Sequence, residues 1–180
     1  MSFYEENEAL IGEATKKAII VVKEYIKNYG EDKAIKEIHR VIDKTQKKIE
    51  IDKKTSCHLG CSLCCHDEIT LSKTEANYLK PLLKKTKRNK KILNRQNSRG
   101  FKNLTWAEKQ CSLLKNGRCS IYNNRPIVCR LHNSSDEPQE CEINMGKGHQ
   151  QVYVLELVAL EMALYFLDRE KYQLHKILKE

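Results

Sequence analysis

No stretch of this 180-residue chain is long and apolar enough to span a bilayer. The best candidate, residues 152–167, is shorter than the ~20 residues a span needs and carries Glu156 and Glu161, so it reads as a buried helix. The N-terminal segment is acidic and lacks the basic start and apolar run of a secretory signal, which points to the cytoplasm. No strand-like alternation of any length occurs and no repeat recurs. There is also no Ser/His/Asp order, phosphate-cradling glycine loop or dinucleotide fingerprint. These absences exclude a membrane span, a β architecture and the commonest ready-made catalytic centres. Eight cysteines are too few for a disulfide-stapled mini-protein, and thiols in a reducing compartment stay reduced.

What is present is helical and basic. Leu10, Ala14, Ala18, Val21, Val22, Tyr25 and Tyr29 recur at three- and four-residue steps, which predicts one packed helical face. Gly30 can end that helix and Asp32 can cap the next, whose stripe is Ile35, Ile38, Val41, Ile42, Thr45 and Ile49. Residues 1–50 are therefore expected to form an antiparallel helical hairpin. Ser72 with Glu75 makes a capping box that opens a further helix with Ala76, Leu79, Leu82 and Leu83 on its apolar face, and Pro81 should kink or end it. After Gly148 no glycine or proline interrupts the chain, so a long terminal helix is expected over 149–180. The whole, 1–180, reads as one mostly α domain, with a loop-rich cysteine region over 51–148.

The formal charge is +9. Eight thiolates on two divalent ions would lower it to about +5. Ten basic residues and no acid lie between Lys80 and Lys102. An acidic partner or a nucleic acid could use such a run, but no aromatic residue is interleaved before Phe101 to stack on bases. A solvated basic surface is the favoured reading.

Cys57, Cys61, Cys64 and Cys65 stand within nine residues, and Cys111, Cys119, Cys129 and Cys141 follow. Four thiols that close cannot all pair as disulfides without strain, so the loop reads as a metal site. Cys57, Cys61 and Cys64 can curl around one centre, with Gly60 easing the turn. Side chains of adjacent residues diverge, so Cys64 and Cys65 are expected to serve two different centres, or one of them to be a reactive or supporting thiol rather than a ligand. The Cys-x3-Cys-x2-Cys spacing matches the cluster loop of radical S-adenosylmethionine enzymes, although the alternating strands and helices of their barrel are missing.

The segment Cys111…Cys119…Arg125-Pro126-Ile-Val-Cys129-Arg130, with Cys57-x3-Cys61-x2-Cys64-Cys65 upstream, resembles the CxxxCxxCC family. These are the YkgJ-type cysteine-cluster proteins, described as zinc- or iron-chelating domains, and flagellin lysine N-methylases carry a similar domain. The resemblance covers roughly residues 55–130. It implies that Cys57, Cys61, Cys64, Cys65, Cys111, Cys119 and Cys129 are the family cysteines, and Cys141 is the natural eighth ligand. The expected cofactor is an iron–sulfur cluster or zinc. Arg125 and Arg130 are expected to offset thiolate charge. His58, His66 and His132 read as neighbours that tune the site rather than as ligands, and His39, His149 and His175 carry no such hint. Two rival functions are an iron–sulfur-dependent protein lysine N-methylase and a zinc-dependent nucleic-acid module, the latter without finger-type histidine spacing. A protein partner is compatible with all three readings.

Overall fold

The computed structural model describes residues 3–58, 60–83, 87–137, 152–169 and 171–177. The chain is mostly helical. After a one-turn α1 (Phe3–Glu6), two longer helices, α2 (Glu8–Tyr29) and α3 (Glu31–Lys48), are separated by Gly30. Gly30 has φ +85°, a backbone state that L side chains rarely adopt, and its amide closes on the Ile26 carbonyl.

The face that α2 buries differs from the expected one. Ile11, Thr15 and Val22 are buried, with Ala18, Ile19 and Ile26 packed beside them. Leu10, Val21 and Tyr29 are 58%, 62% and 55% exposed. The helix is apolar over much of its circumference, so periodicity alone leaves its orientation open. Its main partner, α8 (Leu155–Asp168), settles the choice by packing along the Ile11–Val22 side. The α3 face of Ala34, Ile35, Ile38 and Ile42 turns instead toward α4 (Lys73–Leu79) and α7 (Ile127–Leu131). Leu71, Leu79, Ile127, Leu157 and Leu164 complete this core.

The long terminal helix expected after Gly148 is shorter. α8 ends at Asp168, and Arg169 adopts a left-handed conformation (φ 55°). The chain then turns back as β4 (Lys171–Gln173), which pairs antiparallel with β1 (Thr70–Ser72), before a last turn, α9 (Leu174–Ile177). Tertiary partners impose the stop. The Asp168 carboxylate accepts from the Thr74 amide at 2.7 Å and the Thr74 hydroxyl at 2.9 Å, while the Tyr165 hydroxyl donates to the Thr70 carbonyl at 2.9 Å. A second ribbon pairs β2 (Leu114–Lys115) with β3 (Arg118–Cys119) across Asn116-Gly117, both at positive φ as a two-residue hairpin requires. These strands are two or three residues long, too short to show alternation.

The basic run divides in the fold. In α5 (Lys87–Arg99), Ile92, Leu93 and Gln96 are buried. Arg88 donates to the carbonyls of Ser112 and Leu114 at 3.3 and 2.7 Å, and Arg99 pairs with Glu108 of α6 (Trp106–Lys109) at 2.6 Å. Two cations of the run are thus structural, a role the solvated-surface reading did not assign. Lys84 and Lys85 lie outside the described residues. Among the described residues no helix is long and apolar enough to cross a membrane.

Candidate metal centre

The cysteine loop winds through short backbone bonds. Cys61 N–H donates to the His58 carbonyl, Cys65 N–H to Ser62 and Asp67 N–H to Cys64, the last two around a 3-10 turn at Leu63–His66. Gly60 sits at φ +99°, where a side chain would strain the turn. The Cys111 amide donates to the Cys65 carbonyl at 2.7 Å and so splices the second cysteine segment onto the first. The β2–β3 hairpin then sets Cys119 opposite Leu114, and α7 carries Cys129.

Three chain segments in this way face one cavity of about 200 Å3. Cys61, Cys64, Cys65, Cys111, Cys119 and Cys129 line it, with Arg125, Tyr122 and the apolar side chains of Ile69, Leu113 and Leu174. All seven described cysteines are free thiols. Among the described residues no three or more His, Cys, Asp or Glu side chains are grouped so as to hold a metal ion as they stand, so ligation would require side-chain rotation. An all-sulfur donor set suits zinc and iron–sulfur centres and disfavours hard cations such as magnesium or calcium. The residues fit the group.

Cys64 and Cys65 line the same cavity and shift each other's proton affinity in opposite directions. Interaction with the Cys65 side chain, helped by Arg125, holds Cys64 below the usual thiol range against burial and the charge of Asp67. Cys65 is pushed far up, first by its interaction with Cys64, then by burial. Burial raises Cys111 to about 11, raises Cys119 against the pull of Arg125, and drives the enclosed Cys129 well above its ordinary value. Without a cation most of these thiols keep their protons. Deprotonation therefore accompanies ligation.

Cys57, although it opens the motif, does not line the cavity. Its sulfur accepts from the Ser134 amide at 3.2 Å and lies 3.9 Å from the Ser134 carbonyl. Cys141 lies outside the described residues, as does His149. His66 stacks on Trp106 with ring centroids 3.9 Å apart. His58 and His132 are not among the cavity-lining residues.

The two arginines have separate tasks. Arg125 reaches the cavity, its guanidinium 4.5 Å from the Tyr122 ring centroid. Arg130 is buried and faces away. It grips both Asp43 oxygens at 2.6 and 2.7 Å, donates to the Arg125 and Asn123 carbonyls, and approaches His39 Nδ1 at 3.4 Å. It thereby clamps the loop before α7 to α3. Gln46 adds a bond to the Arg130 carbonyl at 2.8 Å. Sequence reasoning also missed Glu75 as a support. Its carboxylate accepts from the Ile127 amide at 2.6 Å, with His39 Nε2 at 3.7 Å, instead of closing a local capping box. Only its position beside a paired-cysteine loop could have drawn notice.

A mostly helical scaffold that converges thiols on one soft-ligand cavity defines a cysteine-cluster metal-binding protein. A family model described as "CxxCxxCC: Putative zinc- or iron-chelating domain" matches residues 56–152, and the chain belongs to that family. In this chain three residues, not two, separate the first two cysteines. Neither a curated protein nor a solved structure matches the chain.

Proposed function

We propose that this chain binds an iron–sulfur cluster in the cytoplasm, with ligands drawn from Cys61, Cys64, Cys65, Cys111, Cys119 and Cys129. Cys57 and Cys141 are auxiliary members of the set. The observation that carries this reading is the number of thiols on one roomy cavity: six, where a closed tetrahedral zinc site takes four. A cluster held there supplies one-electron chemistry, or Lewis acidity where an iron is left open to a ligand. The chain's own residues set its surroundings. Arg125 balances thiolate charge, and Ile69, Leu113 and Leu174 give the cavity an apolar wall, conditions that tune a cluster's potential.

Anaerobic reconstitution with iron and sulfide tests this. The expected product is a brown protein with sulfur-to-iron charge-transfer absorption and matched iron and sulfide content. Cys64→Ala and Cys119→Ala should lose the chromophore, whereas Cys57→Ala should keep most of it. Tight zinc retention without sulfide uptake would overturn the cluster assignment in favour of zinc.

A further inference from the structure

The outer face of α2 exposes large apolar residues among its charges, unlike the exposed faces of α3 and α5. Leu10, Ala14, Lys17, Val21, Glu24 and Asn28 follow steps of four and three residues, which align them along one side of the helix. Leu10 and Val21 are 58% and 62% exposed, and Ile20 beside them is 66% exposed. Single surface leucines need no explanation, but Leu10, Ile20 and Val21 exposed together on one side of a 22-residue helix, about 33 Å long, do. Burial against α8 uses the opposite side.

The charges around the strip say what fits it. Glu5, Glu6, Glu8 and Glu13 precede the first basic residue of the chain, Lys16. From Lys16 to Tyr29 the balance reverses, with Lys16, Lys17, Lys23 and Lys27 against Glu24 alone. On the strip itself Lys17 and Glu24 lie seven residues apart and bracket Ile20 and Val21. A parallel copy would set like charges together. An antiparallel copy would set unlike charges together twice.

We propose that α2 is a self-association surface on which a second copy of this chain docks antiparallel, about a two-fold axis passing between Ile20 and Val21. In that arrangement Lys17 meets the partner's Glu24 and Glu24 meets the partner's Lys17, the reciprocity that an isologous interface demands. Ile20, Val21 and Ala14 supply the apolar contact, and the paired charges fix direction rather than strength. Lys17 holds Glu13 at 2.8 Å with both side chains largely exposed, a contact weak enough to be shared or exchanged. One helix face per copy is a small interface, so weak, concentration-dependent association is expected. The inference does not depend on which metal the cavity holds.

Sedimentation velocity on the full chain over a wide concentration range tests it. The parent should shift from 21.0 kDa toward twice that mass as concentration rises. Val21→Glu should weaken association by at least roughly tenfold, since it sets a charge in the apolar contact. Lys17→Glu and Glu24→Lys should each weaken it, and the Lys17→Glu/Glu24→Lys double variant should regain the parent's association. Helical circular dichroism and metal content confirm that each variant is folded, and the charge exchanges leave the core untouched. A parent that stays monomeric throughout overturns the proposal and leaves the strip to a different protein. A dimer indifferent to Val21→Glu, or a double variant no better than the singles, also overturns it.

Discussion

Two helix starts in this chain carry the same local signature and use its acid differently. At Thr105–Glu108 the box closes on itself. The Glu108 carboxylate accepts from the Thr105 amide at 3.0 Å and the Thr105 hydroxyl at 2.9 Å, in a setting open to solvent. At Ser72–Glu75 only half of it forms: Ser72 Oγ accepts from the Glu75 amide at 3.2 Å, while the carboxylate leaves its own helix for the first amide of α7. That amide follows Pro126, which has no side chain able to cap it, and Ile127 is 1% exposed. An unpaired amide there would be costly, and a negative charge at a helix start is favourable. The signature marks where a helix begins; burial decides what the acid does.

The sharpest way to break this comparison is to remove both acids. Glu75→Ala should destabilise the protein by about 3 kcal/mol in denaturant unfolding, because it strands a buried amide. It should also lower metal content, since Cys129 rides on α7. Glu75→Gln keeps an acceptor and should lie between parent and Ala. Glu108→Ala should have a much smaller effect on stability and none on metal content. Equal losses from the two alanine variants would show that burial is not what separates the sites.

Glu161 sharpens the point, because it is an acid on α8 whose proton affinity is set first by burial. Burial, with Glu75 nearby adding to it and Lys171 opposing, raises its pKa to about 7. A carboxyl that titrates higher folded than unfolded binds its proton more tightly in the native state. Its stability penalty is absent below pH 4.5, grows as pH rises, and is complete above about 7. Glu161→Gln should therefore melt several degrees above the parent at pH 8, a gain of roughly 2 kcal/mol, and level with it at pH 4.5. An equal shift at both values would mean packing rather than ionisation is responsible.

The smallest effect extends the lesson to cations. Arg88→Gln should cost about 1 kcal/mol through its lost bonds to the Ser112 and Leu114 carbonyls. The Lys90→Gln/Lys91→Gln pair should leave both melting temperature and metal content unchanged. A loss from the lysine pair as large as that from Arg88→Gln would show that net charge, not placement, matters.

Local signals were legible and long-range ones were not. The break at Gly30, the helix start at Ser72 and the gathering of cysteines as a soft-donor set all follow from short spacings and side-chain chemistry. The β1–β4 ribbon does not, because its strands lie about a hundred residues apart and span three residues each. The burial of the Ile11–Val22 face could not be chosen from a helix apolar on both sides. Arg125 and Arg130 look alike in sequence, yet α3 supplies Asp43 and His39 to only one of them. Even the vicinal cysteines depended on this: a divergent pair can reach one cavity once other segments wall it in.

Leu174 has a consequence for how the protein is made. It lines the thiol cavity, and its amide donates to the Ile69 carbonyl at 2.9 Å, so the wall is finished by a residue synthesised long after the cysteines it covers. At ribosomal rates of 5–20 residues per second, the 45 residues from Cys129 to Leu174 take roughly 2 to 9 s. During that interval the nascent chain presents its thiols without their cover. Joining position 69 to 174 must also overcome the entropy of closing a long loop, which places it late among folding events. Loading before that closure meets a cavity without its Leu174 wall, and loading after it meets the finished one.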